Sequence, residues 1–225
     1  MAGEAVSALT DELCRRYLRA TGQLVTTQYG LGPAIKKRVE SSEPCDVVVL
    51  STGHIENLCR QGLLLPTTTL VAQAGLGVGV RAGSAKPDVG SPNRLKRVLL
   101  EAKAISYAPD NTTGQHLGRV FERLGIAAEV KAKARPQQVS AAQGILRGEA
   151  ELGLGLSPTF LDTDGIEFAG HLPAELQLYL VFAAGVSAAS RQADAAQALI
   201  AHFAAADSIA AMQAMGWSAP TGAGR

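Results

Sequence analysis

Two stretches decide the reading of this chain, Val71-Ala72-Gln73-Ala74-Gly75-Leu76-Gly77-Val78-Gly79-Val80-Arg81 and Leu176-Gln177-Leu178-Tyr179-Leu180-Val181-Phe182-Ala183-Ala184-Gly185-Val186. Both are apolar, free of proline, and longer than a typical strand of about 5–6 residues. A strand that leaves one lobe and enters another has this length. Around them, short apolar runs alternate with helical patterns. Asp46–Leu50 reads as a buried strand of a parallel sheet, and Ala104–Tyr107, Glu129–Ala132 and Glu151–Leu156 read as further strands, with Leu24–Tyr29 a β-rich run. Leu9–Ala20 places Leu9, Leu13, Tyr17 and Leu18 on one helical stripe, with Gly22 just past its end. Ala34–Glu40 opens behind Gly32-Pro33, proline being a start signal. Helices are also expected over Ile55–Gln61, Asn93–Ala102, Gly114–Leu124, Gln137–Arg147, Ala193–Ala206 and Ser208–Met215.

This alternation predicts an α/β fold of mostly parallel sheets flanked by helices. The two long strands predict two lobes. Residues 1–80 plus 177–225 make a discontinuous first lobe and residues 81–176 the second, with hinges near Arg81–Gly83 and Leu172–Leu176.

Composition narrows the function. Of 225 residues, 47% are hydrophobic and 18% charged, a globular balance. Net charge is +1, from 21 Lys+Arg against 20 Asp+Glu, which leaves no electrostatic footprint for nucleic acid. Aromatic residues, at 4%, are too sparse for base-stacking platforms. Cys14, Cys45 and Cys59 are odd in number and lack CxxC spacing, so they read as small buried hydrophobes instead of a disulfide framework. No apolar run is long enough for a transmembrane helix, so direct membrane insertion is not expected. The start, Met1-Ala2-Gly3-Glu4-Ala5-Val6-Ser7, has no basic or apolar region of a secretory leader. As it stands the sequence reads as cytoplasmic, or as periplasmic where a leader has been removed.

The usual catalytic templates are missing. His54, His116, His171 and His202 show no i,i+4 pairing or Cys/His cluster, so neither a metal nor a cofactor is expected. Gly75-Leu76-Gly77-Val78-Gly79 lies inside a strand pattern and lacks dinucleotide-loop spacing. Asp162-Thr163-Asp164-Gly165 reads as a turn. What recurs is a small polar residue where a strand gives way to a helix: Ser51-Thr52-Gly53, Asn111-Thr112-Thr113-Gly114 and Ser157-Pro158. In open α/β sheets ligands bind outside the carboxyl ends of strands. Helix N-termini there present free N–H groups and a positive dipole end to an anion.

The order of these pieces resembles the type II periplasmic solute-binding proteins, in particular the molybdate-binding branch. The resemblance runs over nearly the whole chain. It is carried by Ser7–Leu13, Pro44–Ser51, Leu76–Val80 with Gly83-Ser84, Thr113–Leu117, Gln138–Ala142, Gly148–Gly153 and Ala214-Met215-Gly216-Trp217. It implies the two-lobed fold, a small anion held in the interlobe cleft, hinge closure around it, and delivery to an ABC-transporter permease if the chain is exported. The ligand-binding residues it implies are Ser7, Tyr29, Gly32, Ser51 and Thr52 from the first lobe and Thr112, Thr113, Gly114 and Ser157 from the second. The Thr113 hydroxyl is expected to face the ligand, with Gly114 letting the backbone approach it. The strand such a fold needs before Ser7 falls to Glu4-Ala5-Val6.

The sequence also departs from that branch. Paired small hydroxyl residues are reduced to Ser7 in the first loop and vanish from Tyr29-Gly30-Leu31-Gly32, and no tyrosine precedes Ser157 in Gly155-Leu156-Ser157. A tetrahedral oxyanion needs about six donors to replace its water. An organic, partly apolar anion suits Tyr29 and Leu31 better than molybdate does. Aconitate isomerase is built on this scaffold, which supplies the alternative, a polycarboxylate isomerase. His116 and Glu4 would then be the acid and base candidates, and Arg135 a carboxylate clamp.

Overall fold

The computed structural model describes residues 1–138 and 140–220. Val139, within one resembling stretch, and the terminal Thr221-Gly222-Ala223-Gly224-Arg225, expected to fray, lie outside the described residues. The chain divides into two compact units, Met1–Gln73 with Val181–Arg225, and Ala74–Leu180. The boundaries fall inside two long strands, where the sequence reading sets them at 80/81 and 176/177.

Unit 1 begins with strand β1 (Ala2–Gly3), a 3-10 turn at Glu4–Val6 and helix α1 (Ser7–Thr21). Glu4–Val6 is therefore a turn and not the first strand, which lies just before it. Next come β2 (Tyr29–Gly30), α2 (Gly32–Glu40), β3 (Val47–Ser51), α3 (Thr52–Arg60) and the first part of β4 (Leu64–Arg81). Of the β-rich run Leu24–Tyr29, only Tyr29 enters a ladder. Strands β1, β2 and β3 pair in parallel. Alternation along β3 sends Val48 and Leu50 into a core with Ile35 and Val39 of α2 and Ile55 and Leu58 of α3. Helix α1 ends as expected at Gly22, whose φ of 73° is left-handed and whose N–H caps Leu18 O.

The chain enters unit 2 within β4 and continues through α4 (Pro92–Glu101), β5 (Ile105–Tyr107), α5 (Thr112–Leu124) and α6 (Ala127–Lys133). It then forms β6 (Ala134–Pro136), α7 (Ala141–Leu146), β7 (Leu152–Leu156), α8 (Ser157–Leu161) and β8 (Ile166–His171). The expected strand Glu129–Ala132 is helical: Val130 alone of α6 is buried, and the strand follows it at Ala134–Pro136. The helix expected over Gln137–Arg147 forms only at Ala141–Leu146, opened by Ser140, whose Oγ accepts from Ala142 N. Strands β5, β6 and β7 are parallel, while β7 and β8 flank β4 antiparallel.

The glycine run in β4 makes room for aromatic rings. A Cβ on Gly79 would lie 2.2 Å from Phe160 Cδ1, and one on Gly77 would lie 2.4 Å from Phe168 Cε2. Phe160 is buried with Ala141, Ala142 and Ile145 against this bare stretch. Those glycines serve packing, which agrees with setting aside a dinucleotide loop.

The chain returns to unit 1 in β9 (Tyr179–Ser187), antiparallel to β3, and closes with α9 (Ala193–Phe203) and α10 (Ala206–Ala214). Tyr17 of α1 meets His202 of α9 edge-to-face at 5.4 Å. Among the described residues, no single helix is long and apolar enough to cross a membrane.

Candidate functional site

Because β1, β2 and β3 run parallel, their carboxyl ends share one edge of the unit 1 sheet. Each hands over to a helix within a few residues, so α1, α2 and α3 all begin there. The four leading N–H groups of a helix lack intrahelical acceptors. This edge therefore concentrates backbone donors and positive dipole ends. Pro33, in the first turn of α2, has no N–H to offer and fixes the local φ.

The side chains at this edge are partly committed. Ser7 Oγ donates to Glu4 O at 2.9 Å. The Tyr29 hydroxyl donates to Asp11 Oδ1 of α1. Burial, and then the Asp11 carboxylate, push the Tyr29 phenol well above its ordinary pKa. Ser51 flanks α3 without a side-chain bond to the helix backbone, and its Oγ lies instead 3.1 Å from His54 Nδ1. A Cβ on Gly32 would lie 3.1 Å from His54 Cε1, so His54 reaches from α3 to the start of α2. Burial, and next the Lys36 charge, hold the His54 imidazole below its usual pKa of 6.5. It is therefore neutral at pH 7. Thr52 opens α3 and is half-buried. Thus Ser7, Gly32, Ser51 and Thr52 share this edge with His54, a residue that motif spacing tests only as a metal ligand. Its spacing from Ser51, i,i+3 across a helix start, is the signal that identifies it.

Unit 2 has a similar edge at the carboxyl ends of parallel β5 and β7. Asn111 caps α5: its Oδ1 accepts from Gly114 N at 2.9 Å and from Thr113 Oγ1 at 2.6 Å. The Thr113 proton is thus spent inside the cap, and Thr113 is buried. A Cβ on Gly114 would sit 1.9 Å from Ala108 O, so the close approach that demands glycine is to the preceding loop. Thr112, the first residue of α5, is exposed.

Ser157 follows β7 directly and is 1% exposed, yet its Oγ has no hydrogen-bond partner among the described residues. The same holds for Ser106 Oγ in neighbouring β5. A buried hydroxyl left without a partner costs roughly 1–3 kcal/mol. Among the described residues, no three His, Cys, Asp or Glu side chains gather as a metal site.

The isomerase candidates are divided between the units, Glu4 in unit 1 and His116 and Arg135 in unit 2. His116 Nε2 lies 2.8 Å from Leu176 O, a carbonyl, so that nitrogen carries the proton and donates it. On the same helix, Arg123 Nη1 donates to Glu175 O at 2.7 Å, and the two bonds fasten α5 to the 174–176 turn. Glu4 belongs to unit 1, and Arg135 is exposed on β6, bonding Ala134 O.

With this geometry in place, likeness to known proteins becomes informative. The chain is 27% identical over 186 residues to an aconitate isomerase from Pseudomonas sp., covering 81% of this chain and 71% of that protein. Its fold matches the periplasmic molybdate-binding protein of Azotobacter vinelandii with a TM-score of 0.82 at 19% identity, over 98% of both chains. It also matches L-phospholactate-bound PEB3, a Campylobacter jejuni protein, with a TM-score of 0.71 at 14% identity, over 96% of this chain and 97% of that one. The family model for bacterial extracellular solute-binding proteins matches residues 1–218. The type II periplasmic solute-binding fold that the resemblance implies is the fold of this chain, which belongs to the bacterial extracellular solute-binding protein family.

Proposed function

We propose that this protein binds a small organic anion carrying more than one acidic group. The observation that carries the reading is the shared edge where α1, α2 and α3 begin, with Ser51 and His54 beside them. With Ser51 donating to His54 Nδ1, the neutral imidazole keeps an Nε2 proton to donate. In unit 2 the unpartnered Ser157 hydroxyl is a donor in want of an acceptor. The Ser7, Tyr29 and Thr113 hydroxyl protons are spent on protein acceptors. Too few hydroxyl donors remain to replace the water of a tetrahedral oxyanion. Spaced donor groups suit spaced carboxylates. Relatives named for molybdate and for L-phospholactate support the anion class. Delivery to a membrane permease is part of the same proposal.

Thermal-shift measurements against citrate, trans-aconitate, sulfate and molybdate test the proposal. A ligand at about 100 times its dissociation constant adds about 2.7 kcal/mol. The expected result is a raised melting temperature with a polycarboxylate and little change with molybdate. No shift with any anion at millimolar concentration would remove the reading.

The aconitate isomerase relative favours a second reading, an isomerase acting on the same ligand class. His54 is the imidazole positioned for proton transfer there, since His116 Nε2 is held by Leu176 O. Incubation with trans-aconitate, followed by ultraviolet absorbance, separates the two. Binding without an absorbance change leaves the binding protein alone.

A further inference from the structure

Strand β8 ends at His171, opposite Gly77 of β4. Next to it along β4 lies Leu76, and there a side chain takes the place of a strand. Gln177 Oε1 accepts from Leu76 N at 2.7 Å, and Gln177 Nε2 donates to Leu76 O at 3.0 Å and to Leu172 O at 3.4 Å. The same Oε1 accepts from Leu178 N at 2.9 Å. One side-chain amide thus exchanges both bonds with one residue's backbone, as a facing residue of an antiparallel strand does. Leu76 is fully buried, so its N–H needs this partner. Gly75 leaves room for it: a Cβ there would lie 3.1 Å from Gln177 Nε2.

Two paths run from Gln177 to the unit 2 edge. On the other side of β4, Leu76 pairs with Leu156, the last residue of β7, and Ser157 follows with its unpartnered hydroxyl. The second path runs through the two residues before Gln177. Leu176 O accepts from His116 Nε2 and Glu175 O from Arg123 Nη1, and both donors belong to α5. His116 lies one turn past Thr112, which opens that helix. Residues 172–178 therefore brace both halves of the edge, the end of β7 and the start of α5, and the paths meet at Gln177.

We propose that Gln177 is a positioning residue for anion binding, its amide holding the end of β7 and the Ser157 hydroxyl in register with the start of α5. This rests on the anion site proposed above and adds to it a residue that acts only through others. The physical reason is directionality. Hydrogen bonds weaken steeply outside a narrow range of distance and angle. A hydroxyl and a helix start serve one ligand only when their spacing is fixed, and a two-way bond to a backbone fixes β4 more closely than an apolar contact of equal size. A purely structural Gln177 would stabilise unit 2 and leave affinity alone.

The test uses the full chain with Gln177→Met, which keeps the length and removes all four bonds, and Gln177→Glu. Without ligand, Gln177→Met is expected to move the amide resonances of Thr112–Gln115 and of Leu156 and Ser157, none of which Gln177 bonds. Citrate affinity at pH 8, measured by calorimetry, is expected to fall about ten-fold in Gln177→Met, but less than about three-fold where Ser157→Ala is already present. Gln177→Glu should match that loss at pH 8, where its carboxylate has no proton to give Leu76 O. At pH 5 the protonated acid regains a donor, and affinity is expected to return to within about three-fold of the wild type at the same pH. Resonance changes confined to Leu76, Leu172 and Leu178, with affinity unchanged, overturn the proposal. So does an affinity loss that is equal with and without Ser157. A wild type that binds no anion removes the reading of the site instead, and the resonances alone then decide whether Gln177 holds the two halves together.

Discussion

Ser51 Oγ lies 3.1 Å from His54 Nδ1 in the first turn of α3, and His54 in turn closes over Gly32 at the start of α2. The pair joins two helix starts that the sheet brings to one edge. Burial and the Lys36 charge keep the imidazole neutral, so its titration reports on the site.

The sign of that titration is fixed. In the unfolded chain His54 takes up a proton near pH 6.5, whereas the folded chain resists until a lower pH. The stability tied to neutral His54 is present above pH 6.5 and lost as pH falls through the folded value. His54→Gln should flatten the fall in stability between pH 7 and pH 5, read as the wild-type-minus-variant difference in denaturant melts. A bound anion should raise the His54 pKa, read by NMR of the imidazole. An unchanged value with saturating ligand would place the anion elsewhere.

At the α5 start, Asn111 Oδ1 accepts from both Gly114 N and Thr113 Oγ1. Asn111→Ala removes the cap and should cost about 1 kcal/mol in denaturant melts. Thr113→Val should leave anion affinity unchanged, because the hydroxyl proton goes to Asn111. A ten-fold loss of affinity in Thr113→Val, measured by calorimetry, would return Thr113 to the site.

Ser157→Ala should separate stability from binding. Removing a buried hydroxyl without a partner is expected to leave the unliganded melting temperature unchanged or raise it. A hydrogen bond to a charged acceptor contributes roughly 1.5–3 kcal/mol, so anion affinity should fall about ten-fold or more. A destabilised variant with normal affinity would show that Ser157 serves the fold alone.

The glycines of β4 should tolerate no side chain beside Phe160. Gly79→Ala drives a methyl group into the ring and should cost about 1–3 kcal/mol. Phe160→Leu should cost less in the Gly79→Ala background than in the wild type, a coupling that a double-mutant cycle measures. Additive losses would mean that the ring is not what Gly79 makes room for.

Much of the fold was legible because long-range burial leaves a local trace. The two long strands, the Asp46–Leu50 strand and the stop at Gly22 follow from apolar runs and a left-handed glycine. Leu24–Tyr29 misled because a strand needs a neighbour: its pattern is right, but β1 reaches only Ala2–Gly3. Glu129–Ala132 misled because a short run with one buried residue suits either period. At the site, the helix starts were visible as Ser, Thr and Gly after strands. Hydroxyl partners were not, since Tyr29 finds Asp11 and His116 finds Leu176 O only after folding.

The most direct test of anion binding at these helix starts is an amide chemical-shift titration of the whole protein with citrate or trans-aconitate. The expected result is saturable shifts concentrated at Ser7, Gly32, Thr52 and His54 in unit 1 and at Ser157 in unit 2. No saturable shift, or shifts confined to residues away from both edges, would contradict the account.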